Sequence, residues 1–206
     1  MPSEDLFWTR LAPKYAQSPV SDIAAYEQSL MRTRSYLHAQ DTVLEIGCGT
    51  GSTALRLNDA VEKIVATDFA EGMIRIAQDK ARAANVENVD FRIADAALEE
   101  FSDGSFDAAL AFNLLHLLQD LEGTLDRVHS VLKPGGVLIS KTVCLGGSIV
   151  LPMAIKAMQL VGKAPYVSIF TPDHLQAALL WAGFEILETG NHNKGTRGHF
   201  IAARKI

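Results

Sequence analysis

Three glycines alternate along one short stretch of the chain, at Gly47, Gly49 and Gly51. The stretch directly follows the apolar run 42–46, which has the pattern of a strand covered on both faces, and a helical pattern begins at Ser52. Glycine is favoured at such a turn because it adopts positive φ and lets main-chain N–H groups approach a ligand closely. The N-terminus of the following helix attracts anionic groups. The spacing therefore predicts a site for a ligand that carries a carboxylate or a phosphate.

A carboxylate follows the next predicted strand. Asp68 comes directly after the run 63–67, where an acid can accept hydrogen bonds from both hydroxyls of a ribose. The glycines are spaced G-x-G-x-G, whereas dinucleotide-binding enzymes use G-x-G-x-x-G, and the lysine of a P-loop is missing. The pattern indicates a ligand that contains adenosine. A nicotinamide-dependent oxidoreductase and a non-catalytic, regulatory cofactor-binding protein both stay open as alternatives at this point.

Strand and helix patterns alternate from Asp41 onward, which is typical of an α/β domain. Strands are predicted over 42–46, 63–67, 89–93, 106–112 and 137–143, and helices over 52–58, 71–84 and 121–132. Strands separated by amphipathic helices form right-handed βαβ units and a parallel sheet. Two further strands, 184–188 and 200–203, have a short connection and are therefore expected to pair antiparallel.

The 206 residues are expected to fold as one domain, 1–206, with four segments. Residues 1–40 form an N-terminal helical cover, with helices over 4–11 and 21–38, and residues 41–143 form the cofactor-binding core. Residues 144–170 contain an apolar helical patch that is interpreted as a lid or acceptor segment, with a plain structural helix as the alternative. Residues 171–206 form a helix, capped by Thr171, and the final strand pair.

The composition disfavours several classes of function. A net charge of −5 offers no general electrostatic footprint for nucleic acid or for an anionic membrane. One of the two cysteines lies inside the glycine turn and His174, His192 and His199 are scattered, so neither a disulfide framework nor a metal site is expected. The longest apolar stretch, 148–162, is too short for stable membrane insertion, and the N-terminus lacks a secretory-signal pattern. We therefore expect a cytoplasmic protein.

Between Thr42 and Val143 these motifs resemble, in content and order, the class I S-adenosylmethionine-dependent methyltransferases of the small-molecule type. The resemblance includes the segment 94–96 after the third strand and the exit of the fourth strand at Asn113. It implies a Rossmann-like, doubly wound sheet of seven strands, mostly parallel, with an antiparallel strand in the C-terminal hairpin. The implied cofactor is S-adenosyl-L-methionine, and the implied product is S-adenosyl-L-homocysteine.

The same resemblance assigns roles to individual residues. The turn that begins at Glu45 would wrap the methionine part of the cofactor, with Cys48 as a small residue that tolerates the tight turn. Asp68 would bind the ribose, while Phe69 and Met73 would flank the adenine. The full set of implied cofactor contacts is Tyr15, Glu45, Gly47, Cys48, Gly49, Gly51, Asp68, Phe69, Met73, Asp95, Ala96, Asn113 and Leu114.

His116 follows the fourth strand at the sheet edge where ligands bind, so it is a candidate general base for a protonated methyl acceptor. The alternative is a packed histidine that bonds to the main chain. Lys141 and Cys144, at the end of the fifth strand, could border the acceptor site.

The methyl acceptor is expected to be a small, rather apolar metabolite bound between residues 1–40 and 144–170, because both segments present apolar faces. In this family, methylation of exocyclic base or amide nitrogens is associated with an Asn/Asp-Pro-Pro-aromatic tetrapeptide after the fourth strand. Asn-Leu-Leu-His stands in its place here. The sequence therefore argues against an adenine or glutamine methylase, and it does not indicate the oligomeric state.

Overall fold

A seven-stranded sheet forms the centre of the molecule. The computed structural model describes residues 4–18, 20, 22–146, 155, 158–159, 164–191 and 198–206. The strands are β1 Thr42–Ile46, β2 Lys63–Asp68, β3 Val89–Ile93, β4 Phe106–Phe112, β5 Leu132–Val143, β6 Phe184–Gly190 and β7 Gly198–Lys205. Their order is β3-β2-β1-β4-β5-β7-β6, and β7 runs antiparallel to both of its neighbours while the other pairs are parallel. The predicted fold class is confirmed.

The strand order reverses direction next to β1. This strand pairs with β2 and with β4, so that Leu44 lies between Val65 and Ala109. The chain adds β2 and β3 on one side of β1, and then β4 and β5 on the other. In open α/β sheets, ligands bind at the carboxyl ends of the strands beside such a reversal. The topology therefore places the expected site at the ends of β1 and β4.

Helices cover both faces of the sheet. They are α1 Glu4–Gln17, α2 Ile23–Arg34, α3 Ser52–Leu57, α4 Glu71–Ala83, α5 Leu121–Val131 and α6 Pro172–Trp181, and short 3-10 turns cover Asn58–Ala60 and Leu115–Leu117. Strand side chains alternate between the faces. Val43 packs in the core that includes α2, α3 and α4, and Leu44 packs in the core that includes α5 and α6. None of the described helices is long and apolar enough to cross a membrane.

The first helix is longer than predicted. The sequence indicates a helix over 4–11, but α1 continues through Pro13 to Gln17. Proline removes one main-chain donor from a helix interior, and this normally ends or bends the helix. Here the fully buried Ala12 packs in a cluster with α4, and the main-chain N–H of Gly72 donates to the Thr9 hydroxyl at 3.3 Å. Tertiary packing on α4 therefore outweighs the local signal of the proline.

The fifth strand also begins earlier than predicted. The sequence indicates a strand from Val137 after a turn, whereas β5 starts at Leu132. Its pairing with β4 shifts register, because Phe106 pairs with Leu132 and Ala108 pairs with Val137. The extra residues form an irregularity in the strand, and the positive φ of 78° at Gly135 accommodates it. Residues 133–136, predicted as a turn, thus lie inside β5 between these two pairs.

Part of the sequence analysis falls outside the described residues. This applies to most of the proposed lid or acceptor segment, at 147–154, 156–157 and 160–163, and to His192. The two ends of that segment are described and are joined, because the N–H of Gly146 donates to the carbonyl of Phe170 at 2.9 Å. This bond positions residues 164–170 beside the end of β5.

Candidate functional site

A cavity of about 450 Å³ lies at the carboxyl ends of β1, β2 and β4, where the strand order reverses. Its volume is typical of small-molecule sites. Many of the predicted cofactor residues line it, namely Tyr15, Gly47, Gly49, Asp68, Phe69, Met73, Asp95, Ala96, Asn113 and Leu114. Glu45, Cys48, Gly51 and His116 do not line it. The fold thus brings residues from five separate parts of the chain to one cavity.

The glycine loop, Gly47–Gly51, has the backbone conformation that requires glycine. Gly47, Gly49 and Gly51 have φ values of 64°, 54° and 77°. The main chain of the first two borders the cavity. A Cβ on Gly51 would lie 2.7 to 2.8 Å from atoms of Phe91 and Ala77, so this glycine allows the loop to pack against β3 and α4. Two glycines therefore serve the cavity and the third serves packing.

Main-chain hydrogen bonds hold this loop against β2. The N–H of Cys48 donates to the carbonyl of Thr67 at 2.8 Å, and the N–H of Gly51 donates to the carbonyl of Cys48 at 3.0 Å. Burial, together with nearby carboxylates, raises the pKa of the Cys48 thiol well above its ordinary value. The thiol is therefore protonated at neutral pH, which agrees with the interpretation of Cys48 as a small turn residue.

Asp68 connects the end of β2 to the glycine loop. Its Oδ2 accepts a hydrogen bond from the N–H of Gly49 at 2.9 Å, and its Oδ1 accepts one from the N–H of Ala70 at 2.9 Å. Burial raises the pKa of this carboxyl group, and the two N–H donors oppose the rise. Each carboxylate oxygen can accept a further bond. Asp68 can therefore hold the loop and still accept bonds from a ligand in the cavity.

Glu45 is a buried acid one residue before the end of β1. Only 2% of it is exposed, and its Oε2 has no hydrogen-bond partner among the described residues. Burial raises its pKa to about 8, the charge of Asp68 adds to the rise, and a bond from the Ala54 main chain opposes it. The acid is therefore mainly protonated at neutral pH in the ligand-free chain. Burial of Oε2 without a partner among the described residues favours the neutral carboxyl group.

Helix α1 supplies part of the cavity lining. Trp8 and Tyr15 both line it, and with Ala12 they follow the spacing of one helix face. The ring of Tyr15 lies 3.7 Å from the position that a Cβ on Gly49 would take. Burial, Asp68 and Glu45 raise the pKa of Tyr15. Its hydroxyl is therefore protonated at neutral pH and can donate a hydrogen bond.

A second group of lining residues follows the exit of β4. We call Asn113, Leu114, Leu117, Leu118 and Gln119, together with Pro165 and Tyr166, the β4-exit wall. Asn113 has a φ of 55°, and its N–H donates to the carbonyl of Lys141 on β5. This bond fixes the point at which the chain leaves the sheet.

Ser168 holds the two parts of the β4-exit wall together. Its N–H donates to the carbonyl of His116 at 2.7 Å, and its hydroxyl donates to the carbonyl of Leu118 at 3.0 Å. The Tyr166 hydroxyl lies 3.1 Å from the same Ser168 oxygen. The segment that carries Tyr166 is therefore attached to the turn that carries Leu118.

His116 lies beside this wall but does not line the cavity. Its Nδ1 is 2.8 Å from the hydroxyl oxygen of Thr142, and burial lowers its pKa to about 4. The imidazole is therefore neutral at neutral pH, and its basicity is low. A catalytic role for His116 stays a prediction.

Lys141 and Cys144 do not line the cavity either. The Lys141 ammonium group donates to the Ala25 carbonyl and to the Ser29 hydroxyl, at 3.2 and 2.8 Å, so its side chain reaches α2. Burial raises the pKa of the Cys144 thiol to about 11. In the described part of the chain, no group of three or more His, Cys, Asp or Glu residues could hold a metal ion.

Comparisons with known proteins agree with this geometry. Residues 43–136 match a family described as a methyltransferase domain. The chain is 34% identical to 27-O-demethylrifamycin SV methyltransferase of Amycolatopsis mediterranei (strain S699) over 155 residues. The matched region covers 72% of this chain and 56% of that protein. The chain therefore contains a methyltransferase domain, as its resemblance to the class I S-adenosylmethionine-dependent methyltransferases predicted. S-adenosylmethionine is the cofactor of this family.

Two further proteins resemble this chain, one in sequence and one in fold. The chain is 33% identical over 127 residues to the demethylmenaquinone methyltransferase of Clavibacter sepedonicus, covering 61% of the chain and 49% of that protein. The chain thus spans about half the length of the curated relatives that it matches. The crystal structure of the [4+2]-cyclase SpnF has the same fold, with a TM-score of 0.76 and 24% identity over 92% of this chain and 83% of that one.

Several residues that line the cavity were not among the predicted contacts. They are Glu4, Trp8, Ile46, Ala94, Phe112, Leu117, Leu118, Gln119, Pro165 and Tyr166. Trp8 could have been found from its spacing with Tyr15 on one face of α1. Pro165 and Tyr166 are held at the cavity by long-range bonds, and those of Ser168 join positions about 50 residues apart. No local pattern in the sequence carries that information.

Proposed function

We propose that this methyltransferase transfers the methyl group of S-adenosylmethionine to a small, apolar metabolite. The single observation that carries the proposal is Asp68. Its carboxylate accepts the N–H of Gly49 in the glycine loop and borders the same cavity as Gly47, Met73 and Asp95. One acid thus links the loop to the position at which a ribose is bound in related sheets.

The residues present fit this cofactor. Gly47 and Gly49 offer main-chain groups at the cavity surface, and Asp68 retains capacity to accept hydrogen bonds. Glu45 lies behind the glycine loop and does not line the cavity, so its contact with the methionine end stays a prediction. In this proposal, Asp68 binds the ribose and the glycine loop holds the amino acid end.

The remaining predicted contacts fit the other end of the cofactor. Phe69 and Met73 provide apolar surface for a planar base. Asp95 and Ala96 follow β3 and border the same cavity, so the Asp95 carboxylate can accept from an exocyclic amine. In this proposal the adenine lies between these residues and Trp8 of α1.

The β4-exit wall supports an apolar acceptor. Leu117, Leu118 and Pro165 contribute apolar surface, and Gln119 and Tyr166 contribute uncharged hydrogen-bonding groups. Two relatives are named for 27-O-demethylrifamycin SV and demethylmenaquinone as the molecules they methylate, which supports a small organic acceptor. In this proposal the acceptor lies against this wall and α1.

The protein's main task in such a reaction is to align the two reactants and to exclude water. The bound cofactor supplies an activated methyl group, so the enzyme does not need to generate one. Holding the acceptor atom in line with that group can lower the barrier by about 7 to 11 kcal/mol in favourable intramolecular cases. A base is required only where the acceptor atom carries a proton and is a weak nucleophile.

Two measurements test the proposal. In calorimetry, the chain is expected to bind S-adenosylmethionine and S-adenosylhomocysteine and not NAD⁺, which separates the methyltransferase from the oxidoreductase alternative. Incubation with labelled S-adenosylmethionine and a fractionated metabolite extract is expected to add the mass of a methyl group to a small apolar compound. Binding of the cofactor without transfer to any fraction would favour a non-catalytic protein instead.

The role of His116 has its own test. If His116 takes the acceptor proton, His116→Ala lowers turnover by about 100-fold or more and leaves the dissociation constant of S-adenosylmethionine unchanged. Because its pKa is about 4, that contribution is lost only in acid. Full turnover of the variant across the pH range would remove this role.

A further inference from the structure

Lys80 reaches from α4 to the outside of the glycine loop. Its ammonium group donates to the carbonyl of Thr50 at 3.0 Å, to the hydroxyl of Thr50 at 2.9 Å and to the hydroxyl of Ser52 at 3.3 Å. An ammonium group has three N–H donors. All three can therefore be used on one loop and on the first residue of α3. Lys80 does not line the cavity.

Thr50 is the central link in this arrangement. It is only 3% exposed, and it lies between Gly49, whose main chain borders the cavity, and Gly51, which packs against α4. The N–H of Gly49 donates to Asp68. Fixing the carbonyl and hydroxyl of Thr50 therefore limits the rotation of the peptide groups on either side. The peptide group that donates to Asp68, between Cys48 and Gly49, is the next one along the chain.

Helix α4 provides a rigid base for this contact. Ala77 and Lys80 are three residues apart and lie on the same face of α4. Ala77 packs against Gly51, where there is no room for a Cβ, and the Lys80 ammonium group donates to the Thr50 carbonyl. Burial without a neighbouring carboxylate lowers the pKa of Lys80, so holding the ammonium group here costs free energy. Among the described residues Lys80 forms no salt bridge that would offset this cost.

We propose that Lys80 is a positioning residue of the cofactor site, which keeps the glycine loop in its binding conformation by holding Thr50 and touches no part of the ligand. This inference rests on the proposed binding of S-adenosylmethionine. It assigns to α4 a role in cofactor affinity in addition to its role in packing. Removing the ammonium group is therefore expected to lower the affinity for the cofactor, although the residues that line the cavity stay the same.

The test measures the dissociation constant of S-adenosylhomocysteine by calorimetry for the full chain. Lys80→Met is expected to weaken binding about tenfold, as for the loss of one hydrogen bond made by a charged group. Lys80→Arg keeps a cation with several donors and is expected to restore affinity to within about threefold of the wild type. Lys63→Met, at an exposed lysine on β2, is the matched control and is expected to bind as the wild type does.

A variant of Thr50 tests whether Lys80 influences cofactor affinity through this residue. Thr50→Val removes the hydroxyl and is expected to weaken binding by about threefold. If Lys80 acts through Thr50, the double variant binds no more weakly than Lys80→Met alone. Hydrogen exchange of the ligand-free protein gives a second readout, with faster exchange over residues 47–55 in Lys80→Met and no change in Lys63→Met.

The outcomes separate this inference from the proposed function. If the wild type binds the cofactor and Lys80→Met binds it equally well, the role of Lys80 is overturned and the cofactor site stays in place. A wild-type chain that binds neither S-adenosylmethionine nor S-adenosylhomocysteine overturns both. Equal loss in Lys80→Met and Lys80→Arg, with a matching loss of thermal stability, shows a structural role and overturns the inference. If Lys80→Met does not fold, Thr50→Val and Lys80→Arg carry the same test.

Discussion

The two sides of the cavity are built in different ways. On one side, the glycine loop and Asp68 follow directly from buried parallel strands, and main-chain hydrogen bonds fix them. On the other side, the β4-exit wall combines a 3-10 turn with residues 164–170, and Ser168 joins the two. The first side depends on strand ends that the fold itself positions. The second depends on one serine between segments far apart in sequence.

This difference has a functional meaning under the proposed activity. A cofactor shared by a whole family requires the same donors and acceptors in the same place, and strand ends supply them. An acceptor that differs between enzymes is better served by surfaces on turns and loops, which can change without altering the sheet. The following predictions change the glycine-loop side first and the β4-exit wall last.

The largest effect is expected from the buried acid beside the glycine loop. The pKa of Glu45 is about 8 in the folded chain and near 4.5 when unfolded, so folding retains a proton that the unfolded chain releases. The stability that protonated Glu45 contributes is fully present below the pKa of the unfolded chain, and it is lost as the pH rises through the pKa of the folded chain. Between roughly pH 5 and pH 8, the wild type should lose on the order of 3 kcal/mol more than Glu45→Gln.

Urea unfolding of both proteins at a series of pH values measures this difference. His116 has a lowered pKa and contributes the opposite slope at acid pH, but it is present in both proteins and cancels in the comparison. Parallel stability curves for the wild type and Glu45→Gln would show that Glu45 is not buried as a neutral acid.

The next effect concerns the packing of the glycine loop. Gly51 and Gly104 both have positive φ, but a Cβ on Gly51 meets Phe91 and Ala77 while one on Gly104 meets nothing within 4 Å. Gly104→Ala should cost about 1 kcal/mol of unfolding free energy through backbone strain alone. Gly51→Ala should cost about 2 kcal/mol more through overpacking. Equal losses for the two variants would contradict the close contact between the loop and α4.

A comparable effect on binding is expected at Asp68. Asp68→Ala removes an acceptor for the ribose and for the Gly49 N–H, and should weaken S-adenosylmethionine binding by about 1 to 3 kcal/mol. Calorimetry measures it, with Asp126→Ala on the exposed face of α5 as the control. An Asp68→Ala variant with wild-type affinity would remove the ribose assignment.

The smallest effect is expected on the opposite side. Ser168→Ala loses the bonds to Leu118 and Tyr166, and should lower the free energy of unfolding by about 1 kcal/mol. Affinity for S-adenosylhomocysteine should stay within about twofold, because the glycine-loop side is held independently. Ser105→Ala, which loses a similar bond to the Ser102 carbonyl in a turn, is the control. A large loss of cofactor affinity in Ser168→Ala would show that the two sides are coupled.

The same comparison explains what could be predicted from the sequence. The strands that end at Ile46, Asp68 and Phe112 have continuous apolar patterns, and parallel pairing brings their carboxyl ends together. A motif read in order along the chain therefore predicted the cofactor family and most of the residues that border the cavity on that side, whose contacts with the cofactor stay a prediction. The antiparallel strand β7 also followed, since its connection to β6 is short.

The rest depends on contacts that no local pattern contains. The extension of α1 past Pro13 depends on packing against α4, through a contact between Thr9 and Gly72 that are 63 positions apart. The early start of β5 depends on pairing with Phe106. The position of Tyr166 at the cavity depends on the bonds of Ser168 to the turn at His116 and Leu118, and on the bond between Gly146 and Phe170. Long-range contacts of this kind outweigh local signals in each case.

The most direct test of the central claim is a crystal structure of the protein with S-adenosylhomocysteine. The account predicts a ribose within hydrogen-bonding distance of the Asp68 carboxylate, the homocysteine end against Gly47 and Gly49, and the adenine beside Phe69 and Asp95. The sulfur atom should face the β4-exit wall. An adenosine bound against Tyr166, or a ligand bound outside this cavity, would contradict the account.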